Sequence, residues 1–290
     1  GGAGGGTAPT GCQGDTDALP ESAAGDWAPA ARITSLDIPG RAADAQAAGC
    51  NTLGANNGTG LSGLTSLLGS DLTALTQPDE NGDISLLLLA HIAGWEAGQT
   101  ASEAGDVNLN MYNGDPSEGG YTIDRDSFVD QADPTSGARL SFESRLTGCA
   151  MSTTASDFSL TLPVAGLAIA VNLSQTVVAG DIRVVPEGFN LDNGLITGYL
   201  TIDAIVELIR GVQMLCASED APTFCAQAGM ILNGDPMVLA NTVILPILRG
   251  ADSLVTENGV EGDCGADCNA VSVCMQVEGQ ATTITGISEN

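Results

Sequence analysis

The amino-acid sequence predicts a mainly β protein, an antiparallel β-sandwich with several flanking α-helices, stapled by disulfide bonds. The first observation is a two-residue alternation of apolar and polar side chains between Arg139 and Pro186, the period of a half-buried strand. The second is a set of eight cysteines without a C-x-x-C pair, as in disulfide-bonded secreted domains. The third is the recurrence of leucine at helical spacings from Leu61 to Leu75, which indicates a helix beside the sheet.

The stretch from Arg139 to Pro186 predicts roughly three or four consecutive amphipathic strands. Apolar residues occupy even-numbered positions from Leu140 to Val164 and odd-numbered positions after the turn at Gly166. We therefore expect short turns and an antiparallel sheet with one buried face.

The N-terminal region, residues 1–30, is rich in Gly, Ala and Pro and predicts a flexible tether. Residues 31–290 are expected to form a single domain, because large all-β domains reach comparable sizes as one unit. Within this domain we expect helical insertions over about residues 61–76 and 203–248.

Two further strands precede the central stretch. The apolar run Ile84–Trp95 predicts a strand that is buried on both faces or lies beneath the helix that begins at Leu61. Alternation from Val107 to Met111 predicts a half-buried strand that ends at an Asn113-Gly114 turn.

The C-terminal part predicts a hairpin-type turn at Asp192–Gly194, then a strand, then helices. Apolar residues from Ile205 to Cys216 share one helical face, with Thr201 and Asp203 as candidate caps. Further helices are expected at residues 221–231 and 238–248, the last broken at Pro246, and a final strand covers residues 271–278.

The cysteines predict a disulfide framework and an oxidising compartment, extracellular or on the outer cell surface. We expect Cys12 to pair with Cys50, and Cys216 with Cys225. The remaining four cysteines allow three pairings, and we favour Cys149 with Cys274 and Cys264 with Cys268. No apolar run approaches the length of a membrane span.

The charge balance excludes several classes of function. There are 36 acidic and 8 basic residues, a formal net charge of -28, and every basic residue is Arg. Nucleic acid and anionic lipid would be repelled by such a surface. Without Lys, Schiff-base and Walker-type phosphate chemistry are excluded. His91 is the sole histidine and lies in an apolar run, so we expect a packed core residue rather than a catalytic base.

Calcium is the one cofactor that the sequence suggests, as an alternative to binding none. Asp79, Asn81 and Asp83 alternate as the oxygen ligands of a calcium loop do, but the glycine and final glutamate of an EF-hand are missing. The competing interpretation is an ordinary polar turn. Paired carboxylates of a hydrolase cannot be located in the sequence, because their separation in space decides that chemistry.

A resemblance to a known group covers most of the chain. Gly1–Gly6, Leu61–Leu75, Leu195–Gly198 with the helix after it, and Ala281–Ile287 resemble uncharacterised bacterial cell-surface lipoproteins with a Gly-rich mature N-terminus. The resemblance implies a surface location and no particular activity.

From these features we expect a structural or assembly subunit outside the cell rather than an enzyme, forming a homopolymer or filament by strand addition. The segments predicted to accept a partner strand are Ile33–Ile38 and Thr282–Ile287. The alternatives are a monomeric surface-anchored binding module, with or without calcium dependence, and a carboxylate-based hydrolase.

Overall fold

The structure, a computed structural model, describes residues 17–23, 25–63, 72–164, 167–217, 221, 225 and 232–288. Its strands, in chain order, are β1 Ala30–Asp37, β2 Leu88–Ala93, β3 Asp106–Ser117, β4 Gly120–Ile123, β5 Phe128–Asp130, β6 Asp133–Ala138, β7 Leu140–Thr147, β8 Ala150–Thr153, β9 Ser156–Val164, β10 Leu167–Val185, β11 Gly188–Thr201, β12 Leu254–Thr256, β13 Gly259–Glu261, β14 Ala270–Thr282 and β15 Ile284–Ile287. The α-helical segments are Ala42–Ala47, Leu72–Leu75, Ala101–Ala104, Ile202–Cys216, Pro236–Leu239 and Leu245–Ile247.

Eight strands close into an antiparallel β-barrel, so the predicted β-sandwich is wrong. The ring runs β1-β2-β3-β7-β8-β10-β11-β14 and returns to β1. Strands β4, β9 and β15 lie outside it. Side-chain alternation is the same in a sandwich and a barrel, since either gives each strand one inner face. The pairings of β1 with β14 and of β3 with β7 decide between them, and these pairings leave no signal in the alternation.

The barrel interior is a packed core rather than a channel. Side chains from all eight strands fill it, each at most 2% exposed: Ala31, Ile33, Ile92, Leu109, Phe142, Leu146, Met151, Val178, Ile182, Ile196, Val273 and Met275. Burying one such large aliphatic or aromatic side chain contributes about 1.5–3 kcal/mol. The predicted amphipathic strands of the central stretch are confirmed as β7 to β10.

Bulges bend the long strands that the barrel needs. The predicted turn at Asp192–Gly194 is wrong, because β11 runs through it with a shift of register between Leu191 and Gly194. Asn193 has a φ of 51°, a conformation that Asn tolerates better than most residues. The Asn-Gly pair therefore forms a bulge instead of a hairpin turn. Likewise β3 continues through Asn113 and Gly114 to Ser117.

Helical segments pack against the barrel. Helix Ile202–Cys216 starts where predicted, with the Thr201 hydroxyl accepting a hydrogen bond from the Ala204 amide. It contacts β10 and β11 and adds its buried face to the main core. Helix Pro236–Leu239 continues through a π turn at Ala240–Ile244. This wider turn reduces the clash that the Pro246 ring would make with the carbonyl one turn earlier in a regular α-helix.

Parts of other predicted elements lie outside the described residues. The expected helix over 61–76 is described only at its ends, where Leu72–Leu75 is helical, and the expected helix over 221–231 is described only at residues 221 and 225. The described part of the expected tether contacts the core through Leu19 and Ala23.

Three disulfides join described residues: Cys50–Cys274, Cys216–Cys225 and Cys264–Cys268. The last two confirm the predicted pairs, whereas the expected Cys12–Cys50 and Cys149–Cys274 pairs are wrong. Cys149 and Cys274 cannot meet across neighbouring strands, because β7 lies beside β3 and β8 while β14 lies beside β1 and β11. Cys149 is disulfide-bonded as well.

The Cys50–Cys274 bond pins the loop after the first helix to the outer face of β14. Substituting both residues with Ala is expected to lower the free energy of unfolding by up to about 5 kcal/mol, because the bond spans a sequence separation of 224 residues. Substituting Cys264 and Cys268, which are separated by 4 residues, should cost only about 2 kcal/mol. Denaturant unfolding without reductant measures both values, and equal losses would contradict the loop-entropy argument.

Candidate interaction site

The outer wall of the barrel carries a second, smaller core beneath β4 and β15. These two strands are here called the flap. They contribute Ile123, Tyr121, Ile284 and Ile287 to a cluster that also contains Leu89 of β2. On β2, Leu88 and Ala90 point into the barrel while Leu89 points out, because neighbouring side chains in a strand face opposite sides. The flap therefore forms a local second layer over one part of the closed sheet.

Four aromatic residues define this small core, which we call the aromatic layer: Trp27, Tyr112, Tyr121 and Phe128. The chain has only ten aromatic residues, so this concentration is marked. The Trp27 ring lies edge-on to Tyr112 at 6.0 Å and to Phe128 at 5.6 Å between centroids. Such geometries add attraction beyond burial. The layer holds the flap to the barrel.

Strand β15 is attached to β4 by parallel pairing and by a few polar contacts. The Tyr121 amide donates to the Thr283 carbonyl at 3.0 Å, and the Ser288 amide donates to the Ile123 carbonyl at 2.9 Å. The Thr285 hydroxyl lies 2.6 Å from the Ser117 hydroxyl and donates to the Tyr121 carbonyl at 3.1 Å. This short strand therefore depends on backbone pairing and on two isoleucines that reach the aromatic layer.

The two segments predicted to accept a partner strand have different outcomes. The prediction for Ile33–Ile38 is wrong, because residues 33 to 37 pair with β14 on one side. On the other side, the Thr76 and Thr73 hydroxyls donate hydrogen bonds to the carbonyls of Thr34 and Leu36 and cover this edge. Thr282–Ile287 contains β15, which is the last strand of the sheet path. Among the described residues, β15 pairs with β4 on one side only.

His91 packs at the border of the aromatic layer, as the sequence predicts. It is 6% exposed, and its ring lies 6.4 Å from Trp27 between centroids. The ring hydrogen-bonds the Ala28 backbone, while Nδ1 has no partner among the described residues. Burial lowers the pKa of His91 to about 4, opposed by the Ala28 bond. The ring is therefore neutral at neutral pH.

Two carboxyl groups meet where β3 leaves the barrel and β4 ends. Asp124 hydrogen-bonds Asp115, and burial, followed by the charge of Asp115 and that of Asp126, raises the pKa of Asp124 to about 7. The pair therefore holds a proton near neutral pH. Beside it, Arg125 Nε donates to the Ser288 carbonyl at 3.1 Å, which links this turn to the end of β15.

The residues predicted to bind calcium form a compact exposed turn. Asp79 Oδ1 accepts hydrogen bonds from the amides of Asn81 at 2.7 Å and Asp83 at 2.9 Å. These bonds lower the pKa of Asp79. Over the described ranges, no three His, Cys, Asp or Glu side chains converge as metal ligands would. Calcium binding at Asp79, Asn81 and Asp83 stays a prediction, and the observed role of Asp79 is to organise the turn.

A buried Asp–Ser pair, which sequence reasoning missed, joins a loop to the barrel. Asp252 accepts hydrogen bonds from the Ser272 amide and hydroxyl, both at 2.7 Å, and from the Asn56 amide at 2.8 Å. The Ser272 hydroxyl in turn accepts from the Gly58 amide. Because both side chains are engaged with each other and with backbone groups, their role here is structural.

The aromatic layer was also missed by sequence reasoning. Trp27 and Phe128 lie in segments without any apolar periodicity, and Tyr112 faces outward from a strand whose alternation pointed only to the inner side. The available signal was composition, because three of the ten aromatic residues of the chain lie within residues 112–128.

No protein-family model, curated protein or solved structure matches this chain. The three disulfides indicate an oxidising environment of the extracellular type. Across the part of the chain that the structure describes, every helix is too short or too polar to cross a bilayer.

His91 should make the protein less stable in acid. The unfolded chain binds a proton at this residue below about pH 6.5, whereas the folded protein resists protonation down to about pH 4. The contribution of neutral His91 to the free energy of unfolding is therefore fully present above pH 6.5, and it falls by up to about 3 kcal/mol as the pH drops to 4. Denaturation curves of wild type and His91→Phe across this range test it, and parallel pH profiles would contradict it.

Asp124 should act in the opposite direction. The folded protein binds its proton up to about pH 7, whereas the unfolded chain releases it near 3.8, so the contribution to stability is present at low pH and is lost as the pH rises through 7. Asp124→Asn should raise the Tm at pH 8 by more than at pH 5. Glu118→Gln, which removes a negative charge from an exposed position in the neighbouring turn, is the matched control, and an equal effect of both variants would contradict the role of Asp124.

Proposed function

We propose that the protein is an extracellular structural or assembly subunit that self-associates by strand addition at β15. The observation that carries the proposal is the free edge of this strand, which pairs with β4 on one side and with no described residue on the other. An unpaired strand edge is a template for another strand, because its amide and carbonyl groups seek partners.

The composition of β15 favours it over the other open edges. No charged residue lies between Glu278 and Glu289, and the strand contains no proline. By contrast, β9 contains Asp157 and Pro163, and the small hairpins of β5–β6 and β12–β13 contain charged residues such as Asp130. Charges and prolines are the features by which proteins block edge pairing. Strand β15 lacks both.

The net charge of -28 determines the conditions under which copies would associate. Long-range repulsion between acidic copies opposes association at low salt and is screened beyond about 10 Å at 0.1 M ionic strength. A contact made by an uncharged strand avoids bringing carboxylates together locally. The disulfide framework agrees with a location outside the cell, where such assemblies keep their bonds oxidised.

The proposal predicts species heavier than the 29.1 kDa monomer, increasing with salt, in size-exclusion chromatography with light scattering and in negative-stain images. Thr285→Asp should weaken association by at least about tenfold, because a carboxylate would be desolvated at the strand contact. A clean monomer at all salt and protein concentrations would overturn the proposal.

Two controls separate edge blocking from loss of local structure. Thr285→Val removes the same hydroxyl contacts without adding a charge, so it should still assemble. Thr147→Asp adds the same charge on an exposed position of β7, away from the flap, and should assemble as the wild type does. Equal loss of assembly in all three variants would count against β15 as the contact.

A further inference from the structure

We infer that β15 is an exchangeable strand, and that a second copy of the chain supplies its own β15 to the place beside β4. This inference rests on the proposed self-association through β15, and it places the contact between copies beside β4 instead of at the free edge of β15. It is carried by three features of the flap: the complementarity of the place for β15, the short link that joins β15 to the barrel, and the absence of charge in both strands.

The complementarity is seen within one chain. The place beside β4 accepts Ile284 opposite Tyr121 and Ile287 opposite Ile123, and it pairs the hydroxyls of Ser117 and Thr285. A second copy carries the same residues, so its β15 would make the same contacts. Exchange of identical elements is a low-cost route to association, because no new surface has to be created.

The link between the barrel and the exchangeable strand is a single residue. Strand β14 ends at Thr282 and β15 begins at Ile284, so only Thr283 separates them. β14 pairs with β1 and β11, whereas among the described residues β15 pairs with β4 alone. A short link favours exchange, because short hinge segments are common sites at which identical elements swap between copies.

The surroundings of the link also limit what can occupy the place. A Cβ atom added at Gly120 would lie 2.2 Å from the Thr283 carbonyl oxygen, so the backbones of β4 and the link approach each other closely. Neither β4 nor β15 contains a charged residue. The place therefore fits an uncharged strand that begins with this same link, which is what a second copy provides.

Exchange has two geometric outcomes. If two copies give β15 to each other, the contact closes as a dimer, and if each copy gives it to the next, an open chain grows. Either outcome puts residue 285 of one chain beside residue 117 of another. That juxtaposition distinguishes exchange from simple addition at the free edge, which leaves both residues within one chain.

The test mixes two full-length single variants, Ser117→Cys and Thr285→Cys, refolds them together with disulfides intact, and allows assembly. Non-reducing electrophoresis should then show a linked pair at twice the 29.1 kDa of one chain, because the two hydroxyls replaced lie 2.6 Å apart in the structure. Each variant alone, and a mixture of Thr285→Cys with Thr147→Cys, should not give this pair. The reduced sample should show single chains only.

Each other outcome is decisive. Oligomers by light scattering without the linked pair would overturn strand exchange while leaving assembly through the free edge intact. Monomers in every sample would overturn both. Gly120→Val adds a side chain where the backbones of β4 and Thr283 approach each other closely. In the Ser117→Cys chain it should therefore abolish the linked pair. Persistence of the pair in that chain would overturn the proposed position of β15 beside β4.

Discussion

Closure of the barrel depends on one strand, β1, which is hydrogen-bonded to β14 on one side and to β2 on the other. This double pairing joins the beginning of the domain to its end. It also removes the edges that an open sheet would present, because every strand of the ring has two partners. Among the described residues, the strands that have one strand partner, such as β9 and β15, lie outside the ring.

Sequence periodicity was sufficient to predict the strands but not to predict that they close into a barrel. The alternation from Leu140 onwards gave β7 to β10, and the apolar run near His91 gave β2, because burial on one or both faces is a local property. Closure depends on bulges and on contacts between residues far apart in the chain. The Asn193-Gly194 pair shows the difficulty, since the same dipeptide serves a hairpin turn or a bulge depending on which strand passes beside it.

The disulfides show the same difference between pairs that are close in sequence and pairs that only the fold brings together. The pairs Cys216–Cys225 and Cys264–Cys268 were predictable because their members are close in sequence. The Cys50–Cys274 bond was not, because it reports that the loop after the first helix lies over β14. Likewise, His91 was predictable as a packed residue, whereas its aromatic neighbours come from segments without periodicity.

The same distinction explains why β15 matters to the proposed assembly. Copies that carry a net charge of -28 repel one another over most of their surface, so contacts between ordinary side chains on these surfaces would bring carboxylates together. Backbone hydrogen bonds between uncharged strands bring no carboxylates together at the contact itself. A neutral strand, linked to the barrel by Thr283 alone and seated on a neutral neighbour, is therefore the part of this acidic molecule best suited to join two copies.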